Sequence, residues 1–183
     1  MIKRFLFAIF LTLTCTLACT AQKYFSKAAI VSFVSEAPIE KIVATNNSGY
    51  LVMDADNGQL EMSALIKGFQ FEKALMQEHF NENYMESHKY PKAFFKGRVT
   101  NISSLSLTKD GTYNADVTGD LSIHGITKPF ATQAKMIVNG GKVSVQGNFE
   151  VAITDYGIEV PKVVRDNIAK QVKVNISADL QKL

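Results

Sequence analysis

Residues 69–97 read FQFEKALMQEHFNENYMESHKYPKAFFKG. The segment starts with strand-like residues, passes through about one helix of amphipathic sequence near 72–86, stops at Pro91 and resumes as strand. Phe71 and Leu75 mark one apolar face, and Met76, Phe80 and Tyr84 recur four apart on an adjoining one. Glu72, Lys73, Gln77, Glu78 and Glu82 occupy the remainder. One helical insert in a chain otherwise patterned for strands is expected to cover a mouth of a barrel. It is either an amphipathic helix packed on a sheet or a gate over a cavity, with Met76 and Met85 as deformable apolar lining. The two readings are compatible.

Outward from this insert the pattern has period two. Ala29–Phe33 alternates and the run ends before Pro38. Residues 42–54 are apolar at both ends around Asn46-Asn47-Ser48-Gly49, so they form either a hairpin or a bulged strand. Leu60, Met62, Ala64 and Ile66 share a face, as do Ala93, Phe95, Gly97 and Val99. Tyr113 to Ile123 alternates without a fault, and so does Phe130 to Val138. Asn139-Gly140-Gly141 is a tight hairpin turn, followed by alternation from Val143 to Ile153 and from Val172 to Leu180. Pro161 and the residues after it predict a short helix near 162–169. This makes about eight strands with one face buried and one wet. Gly97, Gly119 and Gly147 fall on the apolar face in mid-strand, where glycine permits the coiling of a closing barrel. A two-sheet sandwich is the other architecture open to such strands, and an eight-stranded antiparallel barrel is the expected one.

The N-terminus reads as a secretory signal peptide. Lys3 and Arg4 precede an apolar run, and Cys19 and Ala21 suit cleavage after Ala21. Lipid attachment at Cys19 is the rival reading, against which Thr16 counts. Residues 22–183 then form a single domain, periplasmic or secreted. Loss of Lys3 and Arg4 lowers the formal charge from +3 to +1, which argues against nucleic acid as a partner. Both cysteines, Cys15 and Cys19, belong to the leader, leaving the domain no disulfide and no thiolate ligand.

Chemistry is sparse. His79, His88 and His124 are scattered, so neither a metal site nor a catalytic triad is expected. His79 suits a surface or rim position, and His124 suits hydrogen bonding to the backbone of its own turn. Asp54 and Asp56 are ordinary loop acids, and Asp155-Tyr156-Gly157 reads as a strand-ending turn whose glycine takes positive φ. No phosphate-cradling loop is present. No catalytic residue and no cofactor are assigned.

The run FEKALMQEHFNENYMESHKYPKAFFKG, with residues 121–129 (LSIHGITKP), Asp155-Tyr156-Gly157-Ile158 and the closing stretch 164–180, resembles the YceI-like proteins. That resemblance implies a secreted, lipocalin-like eight-stranded barrel whose apolar cavity binds polyisoprenoid or similar long-chain lipids, without enzymatic activity. The partners implied are such a lipid and, transiently, a membrane surface; the oligomeric state stays open. The cavity lining is expected from Phe69, Phe71, Leu75, Met76, Phe80, Tyr84, Met85, Phe95, Phe130 and Phe149. Head-group contacts fall to His88, Lys89 and Lys128. His88 stands where the resemblance leads one to expect an acidic residue, and Arg98 and Arg165 are the only arginines beyond the leader. A diphosphate usually draws a bidentate arginine. The alternative reading is a structural or interaction barrel filled by its own phenylalanines.

Overall fold

The structure, a computed structural model, describes residues 22–183. The expected signal peptide, with Cys19 and Ala21, lies outside the described residues. The strands are β1 (Lys23–Glu36), β2 (Lys41–Asp54), β3 (Gln59–Leu65), β4 (Gln70–Phe71), β5 (Lys92–Val99), β6 (Gly111–Ile123), β7 (Ile126–Asn139), β8 (Lys142–Ala152) and β9 (Gln171–Lys182). Neighbours are antiparallel, and β1 pairs with both β2 and β9, so the sheet closes into an eight-stranded barrel. The two-residue β4 takes over from β3 on the same edge of β2, pairing through Ala44–Phe71 and Thr45–Gln70 opposite β1.

Alternation fills the interior. Along β6, Ala115, Val117 and Leu121 are buried while Asn114, Thr118 and Asp120 are exposed. The β7–β8 hairpin turns on Gly140 and Gly141 at φ +56° and +77°, the two left-handed residues a tight type I′ turn needs. Gly97 and Gly119 face each other across β5 and β6. A Cβ on Gly119 would stand 2.5 Å from the Gly97 Cα and 2.4 Å from the Lys96 carbonyl oxygen, both rigid backbone. Gly119→Ala is therefore expected to cost about 3 kcal/mol, seen as a lower urea midpoint with an unchanged slope.

Residues 42–54 form one bulged strand rather than a hairpin. The β1–β2 register slips twice, between Ser26 and Ala29 and again between Ala29 and Val31. The first slip adds a residue to β1 and the second adds one to β2, so the pairing returns to register. Asn46, fully buried, holds the second bulge. Its Nδ2 donates to the Leu65 carbonyl at 2.8 Å, and its Oδ1 accepts from the Ser48 amide and hydroxyl at 2.8 Å.

The insert is helical over a shorter span than 72–86. Helix α1 (Ala74–His79) passes into a π-turn over Phe80–Tyr84, closed by the Met85 amide on the Phe80 carbonyl at 2.9 Å. Glu86, at φ +42°, ends it. The helix expected near 162–169 is a 3₁₀ turn over Lys162–Asn167. Its Val163-Val164 pair is β-branched, and Val163 is 91% exposed, so neither propensity nor burial sustains a longer helix.

One end of the barrel is solid: Met53, Val99, Met136, Val138 and Val143 are each at most 2% exposed. The other end carries the insert, the β6–β7 hairpin and the β8–β9 connection.

Candidate functional site

Between the solid floor and the insert lies a cavity of about 400 Å³, within the range of roughly 300–1,000 Å³ usual for ligand sites. Its walls are almost wholly apolar. Small inward-facing residues make the room: Ala134 and Gly147 are cross-strand partners, and a Cβ on Gly147 would meet nothing closer than 3.9 Å.

Two aromatic groups shape the space. At the insert end Phe80 sits among Phe33, Phe69 and Phe71, with ring centroids 5.5, 5.7 and 5.0 Å away. Phe33 comes from β1, Phe69 and Phe71 flank Gln70, and Phe80 opens the π-turn, so the cluster ties the insert to the rim. Deeper in, Phe130 contacts Phe95 at 6.0 Å and Phe149 at 4.7 Å, both edge to face. Tyr84 also lines the cavity, and burial holds its hydroxyl pKa above the usual value, so it stays a neutral donor and acceptor there.

A polar clamp fixes the far side of the insert. The His124 Nδ1–H donates to the Tyr156 carbonyl at 3.1 Å, and Nε2 lies 3.0 Å from the Glu86 carboxylate. Tyr90 packs edge-on against the imidazole at 4.7 Å. His124 and Glu86 are the two non-glycine residues with positive φ among the described residues, so the contact joins two strained backbone positions. His124 thus reaches across to two distant segments instead of bonding its own turn. The Asp155–Gly157 segment is the expected turn, with Gly157 at φ +66°.

Phe69, Phe71, Met76, Phe80, Tyr84, Met85, Phe95, Phe130 and Phe149 all line the cavity. Leu75 does not: it is 61% exposed, because α1 lays its Met76–Phe80 row on the rim and turns the neighbouring face to solvent. The head-group candidates also fall outside the lining. His88 is exposed beyond the Glu86 kink, Lys89 lies over the Tyr90 ring at 4.9 Å, and Lys128 is engaged by Asp155 at 3.2 Å. His79 is at the rim. Phe33 was missed as a lining residue; its place in the alternation with Ala29 and Val31 was the signal available.

The fold has solved counterparts. The barrel superposes on a polyisoprenoid binding domain from Saccharophagus degradans with a TM-score of 0.76 at 14% identity, covering 89% of this chain and 99% of that one. Burkholderia cenocepacia BcnA superposes with a TM-score of 0.66 at 16% identity, covering 84% of this chain and 96% of that one. In sequence, Protein YceI of Escherichia coli O17:K52:H18 is 40% identical over 58 residues, 32% of this chain and 26% of that protein. A UPF0312 protein of Pseudomonas savastanoi pv. phaseolicola is 31% identical over 87 residues, 44% of this chain and 42% of that protein. These alignments span less than half the length of either relative. The YceI-like domain family itself matches residues 26–180, nearly everything the barrel contains, and the chain belongs to that family.

Proposed function

We propose that this protein is an exported carrier or sequestering protein that holds one long apolar molecule, a polyisoprenoid or similar chain, inside the barrel. The observation that carries the reading is the cavity of about 400 Å³ with its apolar walls. It counts against the alternative of a barrel filled by its own side chains. The Saccharophagus counterpart, a polyisoprenoid binding domain, supports the same class of ligand.

Burial of hydrocarbon suffices for affinity. A five-carbon unit contributes roughly 3–4 kcal/mol at about 0.8 kcal/mol per methylene, before ordering costs. Three or four such units give micromolar binding without any head-group contact. With Lys89 and Lys128 engaged elsewhere, selection rests on the length and shape of the tail rather than on a diphosphate. The protein acts by binding and not by catalysis. The basic and apolar residues 3–17 support export, which would place the carrier between membranes or outside the cell.

Native mass spectrometry and organic extraction of the protein purified from its own host test this reading. A co-purifying prenyl or long-chain lipid of defined mass is the expected result. Added geranylgeraniol at about 100 times its Kd should raise Tm by about 5–10 °C. Extracts without lipid, together with an unmoved Tm, would return the filled or structural barrel.

A further inference from the structure

The barrel wall is not laced along its whole length. β7 pairs with β6 from Gly111–Val138 through Ile123–Ile126, and β8 pairs with β9 from Val143–Leu180 through Ala152–Gln171. Between β7 and β8, however, the ladder runs only from Asn139–Lys142 to Ala134–Gly147. Beyond that pair the strands part, leaving the facing edges of residues 126–133 and 148–152 without ladder partners. The sequence agrees. Pro129 stands fourth in β7, and a residue without an N–H belongs where a strand is paired on one side only.

The resulting slot has a definite frame. Its apex is the Ala134–Gly147 pair, whose small side chains leave the cavity wall thin. Its far end is tied by the Lys128–Asp155 ion pair at 3.2 Å, with both side chains about half exposed. Phe130 and Phe149 flank the slot from inside the cavity, in edge-to-face contact at 4.7 Å.

From this frame we infer that the β7–β8 slot is a lateral portal, through which the apolar chain slides into the cavity edgewise while its polar end stays outside. The inference rests on the lipid-carrier reading and specifies its route. One physical argument favours the slot over the insert end. Opening it breaks no ladder hydrogen bond, only one ring pair and one solvated ion pair. Displacing the insert breaks the four-ring cluster, the β2–β4 pairing and the Glu86–His124–Tyr156 clamp.

The test locks the slot. Cys15 and Cys19 are replaced by serine in every sample. Gln133→Cys with Asn148→Cys bridges the next pair the ladder would make, on the outer face. Stopped-flow fluorescence then follows the association of cis-parinaric acid. The oxidised lock should slow association at least tenfold, dithiothreitol should restore it, and the equilibrium affinity should stay the same. Independently, Phe130→Ala with Phe149→Ala should speed association severalfold. Unchanged rates in a fully bridged sample overturn the portal, as do unchanged rates in the double-alanine protein. A slowed rate seen instead when Glu40→Cys and Lys73→Cys pin the insert to the β1–β2 turn would move the route to that end. Absence of any uptake by the unlocked protein would defeat the carrier reading itself.

Discussion

A Phe80→Asp protein is expected to keep its barrel and to bind a long prenyl alcohol at least 100-fold more weakly than the unaltered chain. Phe80 is the common member of the insert-end cluster, 5.0–5.7 Å from three other rings, and it lines the cavity. It belongs to a half-exposed π-turn outside the barrel wall, so a carboxylate there can stay hydrated and the strand ladder is untouched. The hydrated group denies the ligand its first five-carbon unit. At roughly 3–4 kcal/mol per unit and 1.4 kcal/mol per decade, that is a loss of about 100- to 1,000-fold. Met76→Glu, one turn earlier on the same row, should act in the same direction. Displacement of cis-parinaric acid measures the affinity, and far-ultraviolet circular dichroism shows whether the β signal survives. Equal binding by folded variants would remove the insert from the site.

Filling the interior should separate stability from binding in the opposite way. Gly147→Leu points a side chain into open space, since the nearest atoms to a Cβ there are the Ala134 and Ile176 Cβ atoms at 3.9 and 4.0 Å, and the backbone is not in the left-handed region. Replacing a strand glycine removes a penalty of about 0.5–1 kcal/mol, and the new methyl groups bury apolar area. Tm is therefore expected to stay level or rise. The same side chain takes the place of about one isoprene unit, so affinity should fall by about 100-fold. Thermal melts and ligand titration of one sample check both halves. A raised Tm with undiminished binding would put the lipid somewhere other than the cavity and end the carrier reading.

The two variants probe features that were unequally visible in the chain. The Met76–Phe80–Tyr84 row is a helical period, and a period of four states which side chains leave one face together. That row does lie on the cavity. Leu75 shows the limit. A helix fixes the angle between Leu75 and Met76, but which of them faces inward depends on how α1 is laid on the rim. That placement is decided by Phe33 of β1 and by the His124–Glu86 contact, residues 38 to 47 positions from the ones they meet. The head-group candidates lie outside the cavity lining for a related reason. Charge is legible in a sequence, but its engagement by Asp155 or the Tyr90 ring is a property of packing.

By itself, then, the sequence determined the local choices: unbroken alternation over β6 to β9, turn glycines at 140, 141 and 157, one helical insert, and glycines where β5 and β6 press together. These follow from backbone sterics and side-chain period, which act within a few residues. The tertiary structure alone decided that the cylinder is hollow, that residues 42–54 bulge instead of turning back, and that β7 and β8 part beyond Ala134. Each depends on the distance between walls brought together by ring closure, where β1 meets β9 from the opposite end of the domain. No local pattern encodes that distance, because it is the sum of the coil and register of all eight strands.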